Sequence, residues 1–125
     1  KPRKNASVPP PPAGPAPIFD LALLRETAHG SAAFMSRILA SFHENTPDSI
    51  VELHTAWACA DWPVAATIAH KLKPSLRLLG TTHISPLLEI LEAHDSSEEQ
   101  RQVATVELAV GLEELLAVLP REVPA

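Results

Sequence analysis

Between Met35 and Trp57, the side chains Met35, Leu39, Phe42, Thr46, Ile50, Leu53 and Trp57 recur at steps of 4, 3, 4, 4, 3 and 4. Only an α-helix, with about 3.6 residues per turn, gathers that spacing onto one face; a strand would need strict alternation. The register passes through Thr46 and Pro47 without a slip. It therefore predicts one long helix, capped by Ser31 and kinked at Pro47, rather than two helices.

The rest of the chain from Ile18 carries the same period. Tyrosine is absent, and no Asn-Gly or Asp-Gly pair marks a hairpin, so strand signals are nearly missing. Asp20 is placed to cap a short first helix, LALLRETA, that stops at His29-Gly30. In CADWP, Asp61 is the expected N-cap of a third helix, and Pro63 falls in its first turn, where no N–H is needed. That helix should end at Gly80, a residue suited to a left-handed cap. A fourth is expected to start at Thr81 or Thr82, with Ile84, Leu87, Leu88 and Leu91 apolar. Ser96 with Glu99 fits a capping box for the last helix, whose apolar positions are Val103, Val106, Leu108, Leu112, Leu115, Leu116 and Leu119. The fold class this implies is all-α: an antiparallel four-helix bundle over residues 18–125 with a short extra N-terminal helix. Trp57 and Trp62 flank one turn and are expected to plug that end of the bundle.

Residues 1–17 hold seven of the thirteen prolines and almost no large apolar side chain. They read as a Pro-rich linker that cannot build a core and that joins the bundle to something upstream. Three of the ten basic residues lie in that segment, which leaves seven against fifteen acidic residues, a net −8, for the rest. An acidic domain of this kind is a poor partner for nucleic acid, whose binding rests on Lys and Arg at phosphates. No apolar run approaches the roughly 20 residues of a membrane span, so neither a membrane contact nor export is expected, and the cytoplasm is the expected compartment. Cys59, the single cysteine, sits between alanines and reads as a small buried filler.

Three of the seven remaining cations cluster in AHKLKPSLRLLG, residues 69–80. With His70 at zero on a helical wheel, Ile68, Leu72, Leu76 and Leu79 fall at roughly 160° to 240°, the stripe that faces the core. Lys73 falls at roughly −60°, Pro74 at 40° and Arg77 at −20°. His70 is thus centred on the solvent face, with Lys73 and Arg77 as neighbours at i+3 and i+7. An imidazole in water has a reference pKa of about 6.5, so its neutral, nucleophilic form is well populated above about pH 7. Such a nitrogen can take a phosphoryl group covalently, and nearby cations can stabilise the phosphoryl oxygens. No acid or base is visible in the sequence beside His70. An exposed histidine between cations is also what a plain solvated helix face looks like. No HxxxH pair, Cys cluster, phosphate loop or nucleophile motif accompanies it, so no metal site is expected.

HKLKPSLRLLG resembles the signature of histidine-containing phosphotransfer (HPt) domains, H-x-L-K-G-S followed by L-G. His70, Leu72, Lys73, Ser75, Leu79 and Gly80 fit it. The preceding FMSRILASFHENTPDSIVELHTAWACADW resembles the family's long helix with its internal proline and closing D-W. The resemblance covers residues 18 to about 93 well and the last helix only generically. It implies a phosphocarrier in a two-component phosphorelay, the C-terminal module of a hybrid sensor histidine kinase, with no kinase activity of its own. His70 Nε2 would accept a phosphoryl group from the aspartate of a response-regulator receiver domain and pass it to another receiver. Lys73 would contact the phosphoryl oxygens and Arg77 add attraction, while Lys71, Pro74 and Leu78 would help the partner dock. No cofactor of its own is implied; Mg²⁺ is expected on the partner receiver, and the chain is expected to be a monomer. Pro74 stands where the family commonly has Gly, and it removes the donor for the His70 carbonyl four residues back. The alternative is a non-catalytic helical docking module that uses the same face without taking up phosphate.

Overall fold

The structure, a computed structural model, describes residues 18–124; the predicted Pro-rich linker lies outside the described residues. Five helices follow in order: α1 (Ala22–Thr27), α2 (Ala32–Cys59), α3 (Trp62–Leu78), α4 (Ser85–Glu92) and α5 (Glu98–Val118). No strand occurs among the described residues. Helix α2 packs against α3 and α5, and α4 packs against the same two. Those four pairings close a four-helix bundle, with α1 as the short extra helix.

The local signals explain most boundaries. Ser31 Oγ accepts from the Phe34 N–H at 3.2 Å and opens α2, which runs unbroken through Pro47 for 28 residues. Asp61 Oδ1 accepts from the Val64 N–H and opens α3. Asp20 is not the N-cap of α1, as expected, because Leu21 holds that position without a side-chain cap. Asp20 Oδ1 instead accepts from the Ala22 N–H, and the Asp20 N–H donates to the Leu79 carbonyl at 2.8 Å, tying the entry of α1 to the exit of α3. Leu24, Leu39, Leu53, Leu76, Leu108 and Leu112 are completely or almost completely buried along the axis. Each such leucine contributes roughly 1.5–3 kcal/mol through removal from water.

Several expectations need correction. Helix α4 starts at Ser85, not at Thr81 or Thr82. The Thr81 N–H and hydroxyl both donate to the Leu76 carbonyl, so Thr81 closes α3 instead. The capping box is Ser97 with Gln100, one residue beyond the expected pair; the Ser96 hydroxyl donates to the Ile90 carbonyl and seals α4. Cys59 is exposed and Trp57 is 46 % exposed, because the last turn of α2 runs past the core, where Ala56 is the buried residue. Only Trp62 is partly buried against the core. Val103 and Val106 face solvent, and the inward stripe of α5 instead runs through Ala104, Thr105, Leu108, Ala109, Leu112 and Leu115. Gly111 is also buried on this stripe, and a Cβ there would meet Ile84 only at ordinary contact distance. His43 is buried, and its Nε2 lies 2.8 Å from the Leu119 carbonyl at the end of α5, so this histidine serves the fold.

Candidate functional site

Helix α3 presents His70 outward, as the wheel requires, with the side chain 79 % exposed. The structure adds a residue that the sequence reading missed. Glu92, the last residue of α4, places Oε1 3.1 Å from His70 Nδ1 and Oε2 2.7 Å from Lys73 Nζ. One carboxylate thus bridges the histidine and the lysine, and the expected lack of an acid or base beside His70 is overturned. A signal for Glu92 was present: it falls eight residues after Ile84 and four after Leu88, on the flank of the apolar stripe of α4.

The electrostatics follow from this bridge. Glu92 stands at the negative end of α4, which has no basic residue in its last turn and so disfavours a carboxylate. Its Oε2 is buried, and the Lys73 ammonium 2.7 Å away compensates it, chiefly as a charged hydrogen-bond donor and less by charge at a distance. Lys73 holds the Glu92 carboxyl below its ordinary value of 4.5, against the opposing effect of burial and with smaller help from His70. Glu92 is therefore ionised at neutral pH. An ionised carboxylate only accepts, so Nδ1 carries the proton it donates. In the neutral ring this leaves the lone pair on Nε2, the accessible nitrogen.

A depressed carboxyl pKa gives a defined pH dependence. The unfolded chain takes up the proton first as pH falls, so the bridge's stabilisation is fully present above about 4.5 and is lost as pH drops through the lower folded value. The urea midpoints of the wild type and Glu92→Gln should therefore differ at neutral pH and converge in acid. A constant difference across that range would show that the bridge does not titrate.

The other expected site residues divide between two sides of α3. Arg77 is exposed and shares with Lys73 a small cavity of about 160 Å³, bordered by Thr82 and Ser85 at the start of α4. Among the described residues Arg77 has no carboxylate within ion-pair distance. Lys71 is exposed on the opposite side, lining the α2–α3 groove with Glu52. Pro74 is exposed within α3, while Leu78 is half-buried and packs partly against the core. His70 and Lys73 are brought together; Arg77 adjoins them, and Lys71 does not. No group of three or more His, Cys, Asp or Glu side chains among the described residues is placed to hold a metal ion. No helix among them is long and apolar enough to cross a membrane.

A family model described as the Hpt domain matches residues 37–121. The match therefore includes α5, which the motif resemblance covered only generically. No curated protein and no protein of solved structure gives a significant match.

Proposed function

The chain belongs to the Hpt domain family, and on that premise we propose that it is a phosphocarrier whose acceptor atom is His70 Nε2. The observation that carries this reading is the Glu92 bridge, which fixes the Nδ1 proton and leaves Nε2 nucleophilic on an open face. The donor is the aspartyl phosphate of a response-regulator receiver. The Nε2 lone pair attacks phosphorus and an N–P bond forms. The P–O bond to the aspartyl oxygen breaks, and the carboxylate leaves with that electron pair. No proton has to move, because Nδ1 already carries it. The ring gains formal positive charge, which the adjacent Glu92 carboxylate offsets. Transfer to a second receiver reverses these steps.

Lys73 is held on Glu92 before transfer and is close enough to turn toward the incoming phosphoryl oxygens, with Arg77 adding positive potential. Mg²⁺ and the groups that activate the aspartate belong to the receiver, so this chain has no kinase activity of its own. Incubation with a phosphorylated receiver and Mg²⁺ should move label onto the chain in an acid-labile, alkali-stable form, as phosphohistidine requires. Receiver binding without any label transfer would overturn the reading in favour of a docking module.

Glu92 should matter by two separable effects. Glu92→Gln keeps an acceptor at Nδ1 but removes the charge, so transfer should slow on the order of tenfold. Glu92→Ala removes both and should slow it on the order of a hundredfold. Single-turnover transfer from the same receiver measures both. Equal rates for the two variants would mean that charge alone, without orientation, accounts for the effect.

A further inference from the structure

The outer face of α5 carries apolar side chains that the bundle does not use. Val103, Val106 and Val110 are 51 %, 42 % and 46 % exposed. On the α5 wheel they lie within roughly 60° of one another, diametrically opposite Leu108 and Leu112. Valine is among the weaker helix formers, because its branched side chain loses rotamer freedom. Three of them one turn apart on a wet face are therefore unfavourable for an isolated bundle. Beside them, between α4 and α5, runs a groove of about 260 Å³ whose apolar lining is Leu87, Ile90, Val103 and Ala104. Its rim is acidic: Glu99 and Glu107. Glu92 is on the other flank of α4, toward α3.

We infer that this α4–α5 face is a docking site for a cationic amphipathic helix of another protein. Charge selects the occupant. Helix α5 holds five glutamates against one arginine, and that Arg101 is turned inward, donating to the Ala93 and His94 carbonyls. Neither glutamate of the rim has an ion-pair partner among the described residues. Lysines flanking an apolar stripe would complete both features at once. The 3- and 4-residue spacing of the valines matches the ridge that a packed partner helix presents. A second copy of this chain would set like-charged rims together. A phosphate-bearing surface would be repelled by the same carboxylates. Residues 1–17 supply three cations but only Val8 as a large apolar anchor, and Pro9 to Pro12 cannot continue a helix. Helix α5 packs chiefly on α2 and α4, so an occupant here leaves His70 on α3 open. The site is thus independent of the phosphocarrier reading.

The probe is a synthetic 18-residue-scale helical peptide of leucine and lysine with one apolar stripe, about five turns long. Its control has the same composition with the leucines scattered around the helix. Titration into the full chain should give saturable NMR shifts confined to the α4–α5 face, with the striped peptide binding at least tenfold more tightly than the control. Val106→Lys should weaken the striped peptide tenfold or more, without changing the melting curve or the rate of phosphoryl transfer. Equal binding of the two peptides, or shifts centred on Trp57 or His70, would overturn the assignment. A dimer dispersed by Val110→Lys would assign the face to a second copy instead. A tenfold gain in affinity on removal of residues 1–17 would assign it to the chain's own tail.

Discussion

Replacing His70 with glutamine is expected to abolish phosphoryl uptake, with a loss on the order of a thousandfold or more. The amide nitrogen of glutamine has its lone pair delocalised into the carbonyl, so nothing at that position can attack phosphorus. The substitution is otherwise mild. The side chain is 79 % exposed, and a glutamine amide can still donate to Glu92. The unfolding free energy should thus change by no more than about 0.5 kcal/mol, and receiver binding should persist. His29, His54, His83 and His94 are also exposed and serve as internal controls. None of them has a carboxylate within ion-pair distance among the described residues. Acid-labile label that survives in His70→Gln would place the acceptor on one of these and remove His70 from the reaction.

The site was partly legible because half of it lies on one helix. Periodicity alone turns His70 outward and sets Lys73 and Arg77 beside it, since a single helix fixes those angles. Glu92 was not legible in the same way. It is 22 residues from His70, and no wheel sets the rotation of α4 against α3; packing does. The same limit explains the errors on α5. Its valines and leucines are all apolar, so hydropathy could not choose between them; the face that packs is the one that also carries Ala104, Thr105, Ala109 and Gly111. Trp57 and Cys59 were misplaced because the repeat of α2 continues for one turn after its partners end. Caps, by contrast, depend on a few adjacent residues. Ser31 and Asp61 were correct, and the last capping box erred by one position, between two serines of equal ability.

Gly80→Ala is expected to destabilise the fold by about 3 kcal/mol, from two additive causes. Gly80 has φ +67°, where an L-residue costs roughly 1–2 kcal/mol. A Cβ there would also come within 2.5 Å of the Asp20 carbonyl oxygen and 2.8 Å of its Cβ. Neither atom can step aside, because the Asp20 N–H is bonded to the Leu79 carbonyl and Leu24, four residues on, is fully buried. Gly30 separates the two causes. Its φ is +78°, but a Cβ there would meet nothing within 4 Å. Gly30→Ala should therefore cost only the conformational part, about 1 kcal/mol. Urea denaturation of the two variants measures the difference, about 2 kcal/mol, which is the steric value of seating α1 against the end of α3. Equal losses would mean that α1 can lift away from Gly80 without penalty. Below its melting range Gly80→Ala should still transfer phosphate, because the atoms nearest the added Cβ belong to Asp20 and not to His70, Lys73 or Glu92.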